Sequence, residues 1–72
     1  MDKLTLVGQD GNAYAIIGYV VSNMRKLDVA DRIDKYIEEA TAGTYDDLIC
    51  VSMRAVDELN KIIEQEEYWL EQ

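Results

Sequence analysis

Residues 44–72 hold neither glycine nor proline, so nothing in their chemistry stops a helix once one has begun. Thr44 suits the N-cap. Asp46 and Asp47 fall in the first turn, where the helix dipole favours negative charge, and Asp47 stands at the reciprocal position of a capping box. A helix over about residues 45–70 is predicted, roughly 39 Å long at ~1.5 Å per residue. In a chain of 72 residues, one element of that length dictates the rest. The other segments must pack along it, and they are too short to cover all of it.

Two further helices are expected, over about 13–27 and 29–42. The first has apolar stripes at Ile16, Val20, Met24 and Leu27 and at Tyr14, Ile17 and Val21. Asn12 is its expected N-cap. The second places Val29, Ala30, Ile33, Tyr36, Ile37 and Ala40 on one side, with Asp28 as expected N-cap. Gly43 fits just past its end, where a left-handed conformation is cheapest for glycine. Ahead of these, "KLTLV" (Lys3 to Val7) alternates like a short strand or extended arm, with Leu4 and Leu6 on one face. The expected fold is therefore mostly all-α. It is a single three-helix domain over 1–72, with an extended arm at 3–7 and a long C-terminal helix. Its core should include Ile16, Ile17, Val20, Met24, Ile33, Ile37, Leu48, Ile49, Val56 and Leu59.

The turn "GQDGN" (Gly8 to Asn12) opens the first helix, as phosphate-binding loops do. It lacks their chemistry. Gly8 and Gly11 give only G-x-x-G, no lysine follows, and Asp10 would oppose a phosphate. It reads as a structural turn with a helix cap. The chain has no histidine to serve as a base near neutral pH. Cys50, the one cysteine, has no histidine partner and is expected to be a semi-buried core residue. No catalytic, metal-binding or cofactor site is expected, and the protein reads as non-enzymatic. With no apolar leader and no span-length apolar run, a cytoplasmic location is the simplest expectation.

Charge divides the chain. Residues 1–36 carry Lys3, Arg25, Lys26, Arg32 and Lys35 against Asp2, Asp10, Asp28, Asp31 and Asp34, which cancel. The whole net charge of −8 therefore falls on residues 37–72. That half would repel nucleic acid and anionic membranes and attract a basic protein partner.

Self-association, most simply as a dimer, is expected on three grounds. A lone strand leaves backbone groups unpaired. Ala15, Gly18 and Ser22 form a small-residue strip that would admit a close helix. Ile62, Ile63, Tyr68, Trp69 and Leu70 would stand exposed beyond the bundle, and Tyr and Trp are frequent binding hot spots.

The segments "LVGQDGNAYAIIGYV", "MRK" and "IDKYIEEATAGTYDDLI" resemble a family of small uncharacterised proteins found in bacteria and in their phages or mobile elements. Its pattern is L-x-G-x-D-G-N-A-[FY], then an apolar helix, then G-x-Y-D-x-L. Matching positions include Gly8, Asp10, Gly11, Asn12, Ala13, Gly18, Glu39, Ala40, Gly43, Tyr45, Asp46 and Leu48, within residues 4–56. The resemblance implies an accessory role in a mobile element. Two functions compete on this basis. One is a self-associating, protein-binding module. The other is an acidic inhibitor that occupies the nucleic-acid-binding surface of a host protein, of the anti-restriction or anti-CRISPR type.

Overall fold

The computed structural model describes the backbone of residues 1–71 and the side chains of residues 1–66. It is a three-helix, all-α fold: α1 is Ala13–Lys26, α2 is Ile33–Ala40 and α3 is Tyr45–Glu71. At 27 residues α3 is roughly 40 Å long, close to the molecule's longest dimension of 43 Å. Both shorter helices pack on it.

The ends of the helices are set by side-chain chemistry. The Asn12 side-chain oxygen accepts the Tyr14 N–H at 2.9 Å and starts α1 as expected. The end of α1 corrects one expectation. Asp28 does not cap the second helix; it closes the first. It sits in the left-handed region at φ 61°, and its N–H donates to the Arg25 carbonyl at 3.2 Å. The Val29 N–H then reaches the Met24 carbonyl at 2.9 Å. Those two bonds make a Schellman closure, with Asp28 in the place glycine usually holds. Asp28 is thus spent, and no side chain caps the next helix. The chain enters through a 3₁₀ turn, Ala30–Arg32, and α2 begins only at Ile33.

α2 also ends early. The Thr41 hydroxyl and N–H both donate to the Ile37 carbonyl, at 2.7 and 3.0 Å. Gly43 is not left-handed, contrary to expectation; Gly8 is the glycine at positive φ, 84°. Gly43 is required for space instead. A Cβ there would overlap the Asp47 carboxylate. That carboxylate folds back to accept the Thr44 N–H at 2.9 Å and the Thr44 hydroxyl at 3.1 Å, and the Thr44 Oγ1 accepts the Asp47 N–H at 3.3 Å. The capping box at the head of α3 is therefore formed.

These bonds, the backbone one first, hold the Asp47 carboxyl below its usual value. A depressed carboxylate stabilises the fold above its unfolded value, and that contribution disappears as pH falls through the folded one. Thermal melts of the protein and of Asp47→Asn should therefore differ most near neutral pH, begin to converge as pH falls below about 4, and meet only below the folded value. A gap that stayed constant with pH would remove the charge from this account.

The core lies on one face of α3, at Leu48, Ser52, Val56, Leu59 and Ile63. The spacing of four, four, three and four residues keeps them on one side of the helix. α1 contributes Ile16, Val20 and Met24, and α2 contributes Ile33, Tyr36 and Ala40. A buried polar pair at the α2–α3 contact is satisfied, with the Tyr36 hydroxyl 2.6 Å from Ser52 Oγ. Burial there raises the Tyr36 phenol above its ordinary value, although the Ser52 bond works the other way.

Three expected core residues lie further out. Ile17 and Ile49 are half-buried, and Ile37 is exposed because it stands at the margin of the face that Ile33, Tyr36 and Ala40 bury. Cys50 is exposed as well, since it falls on the side of α3 away from both partner helices. Among the described residues, no helix is long and apolar enough to cross a membrane.

Candidate functional site

Residues 3–7 do not form a strand; among the described residues there is none. The reason is the identity of their partner. Leu4 is buried, and its N–H donates to Asn60 Oδ1 at 2.7 Å while its carbonyl accepts from Asn60 Nδ2 at 2.9 Å. One side-chain amide thus supplies the acceptor and the donor that a neighbouring strand would supply. The Thr5 N–H goes to the Tyr19 hydroxyl at 3.2 Å, and the Val7 N–H to Thr5 Oγ1 at 3.1 Å. A second copy is therefore not needed to pair the arm, since the N–H groups of Leu4, Thr5 and Val7 and the Leu4 carbonyl find partners within the chain.

The arm and the following turn make a strap, residues 4–11, tied to α3 at both ends. At the far end the Tyr45 hydroxyl donates to the Gly11 carbonyl. Tyr45 and Asn60 are separated by roughly 22 Å of helix at ~1.5 Å per residue. Between the ties the strap bows outward. It is held in that shape by the left-handed Gly8, by a Gln9 N–H to Leu6 carbonyl bond of 3.2 Å and by an Asp10 Oδ1 to Asn12 N–H bond of 2.9 Å. At the crest, Val7 is 84% exposed.

Beneath the bow lies a groove of about 680 Å³, mainly apolar. That volume is within the range of ligand and side-chain pockets, roughly 300–1,000 Å³. Its floor is Ile16 from α1 and Ile49, Met53 and Val56 from α3. Its polar atoms gather at the ends: Lys3, Asp57 and Asn60 at one, Asp10, Gly11 and Tyr45 at the other. Met53 is 55% exposed and Tyr45 is 49% exposed. Asn60 and the Tyr45 tie were not singled out in the sequence. The signal was there, since positions 45, 49, 53, 56 and 60 recur at helical spacing and make a second apolar face on α3.

The residues expected to mediate interaction do not meet at one place. Gly18 and Ser22 are exposed and Ala15 half-buried on α1, and no atom lies within 4 Å of a Cβ built at Gly18. The strip therefore faces solvent, and among the described residues nothing packs closely against Gly18. Ile63 is buried, at 3% exposure, and Ile62 is half-buried, so neither stands uncovered beyond the bundle. The core continues one turn further along α3 than Leu59. The side chains of Tyr68, Trp69 and Leu70 lie outside the described residues. Of the four expected caps, Asn12 and Thr44 cap helices; Asp28 and Gly43 serve as described above.

A second hollow, of about 470 Å³, lies between α2 and α3. Its cations Arg32, Lys35 and Arg54 are matched by Asp31, Glu39 and Glu58, and Arg32 lies 3.9 Å from Glu58. With balanced charge it does not select an anion. Among the described residues, no group of three or more His, Cys, Asp or Glu side chains is placed to hold a metal ion. Compared with known protein families, with curated proteins and with solved structures, the chain matches none.

Proposed function

We propose that the protein is a non-enzymatic, protein-binding module that presents the groove between the strap and α3 to a partner. The observation that carries this reading is the apolar side that α3 gives the groove, where Met53 is more than half exposed and Ile49 half-buried above the buried Val56. Contiguous exposed apolar surface on a small protein usually marks an interaction site. Methionine suits such a surface because its flexible thioether adapts to the shape of what it meets. The resemblance to small phage and mobile-element proteins supports an accessory role of this kind.

The competing function, an acidic inhibitor that occupies a nucleic-acid-binding surface, shares the expected basic partner. It differs in what holds the complex. Attraction by charge alone weakens steeply with salt, whereas apolar burial does not. The floor of the groove favours the module.

Self-association is a second reading, and the solvent-facing strip of Ala15, Gly18 and Ser22 favours it. Small residues let two helices approach closely, and a two-fold dimer would use the strip on both copies.

One experiment separates these readings. A photo-cross-linking residue is placed at Met53, at Ser22 or, as a control, at Glu38 on α2, and each variant is irradiated in the cells that make the protein. Adducts with another protein from position 53, absent from position 38, are expected. Adducts at twice the chain mass of 8.2 kDa from position 22 are the expected mark of a dimer. Equal yields from 53 and 38 would overturn the groove reading, and no adduct from 22 would overturn the dimer.

A further inference from the structure

We infer that the partner segment seated in the groove is a short amphipathic helix with basic flanks, contributed by another protein. This rests on the groove being a protein-binding site and names the chemistry of what it binds.

The floor sets the apolar requirement. Ile49, Met53 and Val56 offer a row of aliphatic and thioether surface along α3, with no buried polar side chain between them that lacks a partner. A segment entering there must bring apolar side chains and leave its own backbone polar groups satisfied. A helix does that by itself, since its hydrogen bonds are internal. An extended segment would need the strap's backbone as a strand partner. The N–H groups of Leu4, Thr5 and Val7 and the carbonyls of Leu4 and Leu6 are already bonded, so the strap offers no continuous row of free donors and acceptors.

The rim sets the charge. Asp57 lines the groove on the α3 side and Asp10 lines it on the strap side, with Lys3 as the one cation at its edge. Asp46 and Glu64, eleven residues before Asp57 and seven after it, lie within about 20° of it around the helix, at ~100° per residue. Both are exposed. The groove's own lining carries Asp10 and Asp57 against Lys3, a net charge of −1, and Asp46 and Glu64 add negative charge on the same side of α3 beyond the lining. Lys61 is turned roughly 40° further out, and Arg54 lies on the α2 side, in the second hollow. Lysines or arginines flanking the apolar stripe of the incoming helix complement that pattern.

A second copy of this chain fits poorly, because α3 carries the acids Asp46, Asp47, Asp57, Glu58, Glu64, Glu66, Glu67 and Glu71 against only Arg54 and Lys61. Like charges along both helices would oppose the pairing.

The test uses the full chain and a model peptide of roughly four helical turns, built only of leucine and lysine with the leucines at helical spacing. A matching peptide with glutamate for lysine is the comparison. Binding is followed by NMR through the Met53 methyl and the backbone amides. The lysine peptide is expected to shift the Met53 methyl and the amides of residues 49–57 and 5–11 saturably. The glutamate peptide should bind at least roughly tenfold more weakly, and Met53→Lys should weaken the lysine peptide by a similar factor. Glu38→Lys makes a larger change in charge far from the groove and should have little effect. Met53 and Glu38 are both exposed helical positions, so the fold should persist in each variant, which circular dichroism checks. Shifts scattered over the acidic surface, equal binding of the two peptides, or equal effects of Met53→Lys and Glu38→Lys would each overturn the inference. If position 53 still cross-links to a protein in cells while the lysine peptide fails, the groove stands as a binding site and the basic helix falls.

Discussion

Leu59→Ala should lower the melting temperature by roughly 12–24 °C, the shift expected in a domain this size for a loss of ~3 kcal/mol. Leu59 is 1% exposed, at the middle of the inward face of α3. Removing a buried leucine side chain costs about 2–5 kcal/mol, part for lost burial and part for the cavity left behind. A 72-residue domain has a total stability of only about 4–11 kcal/mol, so the variant stands near the limit of folding. Ile37→Ala is the contrast. At 36% exposure Ile37 has little cavity to leave, and its loss should cost under about 1 kcal/mol. Similar melting temperatures for the two variants would mean that the core does not lie where it is described here.

Asn60→Ala should free the strap while α1 and α3 stay folded. The alanine leaves the buried N–H and carbonyl of Leu4 with no partner, at about 1–3 kcal/mol for each unpaired group. Undocking the strap relieves that penalty and instead forfeits the burial of Leu4, worth about 1.5–3 kcal/mol. The cheaper of these outcomes wins, so the expected loss is about 2–3 kcal/mol. Amide exchange at Leu4 and Thr5 should accelerate, with the middle of α1 still protected. Asn60→Asp keeps an acceptor for the Leu4 N–H but sets a carboxylate oxygen against the Leu4 carbonyl at a buried position, so it should free the strap at least as fully as alanine does. If Leu4 exchanged no faster in Asn60→Ala, the amide would not be what secures the strap.

The helices were legible because their signals are local. Asn12, Thr44 and Asp47 announce helix starts within one turn of where they act, and the run of residues 44–72 without glycine or proline announces the length of α3. Asp28 misled because aspartate serves two opposite purposes. Before a helix it caps, and after one it tolerates the left-handed position, and only the register of Met24 and Val29 decides between them. Ile37 misled because periodicity reports which residues share a face and not how much of that face is covered. The groove was half legible. Its apolar row on α3 is written at helical spacing, but its roof depends on Asn60 meeting Leu4, and no pattern of spacing reports so distant a pairing. Ile63 shows the same limit, since whether a helix end is covered depends on elements elsewhere in the chain.

The Leu4–Asn60 bonds join residues 56 positions apart, and that separation orders events as the chain is made. At about 5–20 residues per second, Asn60 leaves the ribosome's catalytic centre roughly 3–11 s after Leu4. Helices nucleate within about a microsecond, so α1 can form while Leu4 waits. The strap, made before the helices, is therefore among the last parts to reach its place. Throughout that interval Leu4, Leu6 and Val7 are apolar groups on an undocked segment, accessible to a chaperone or to a neighbouring nascent chain until α3 is complete enough to receive them.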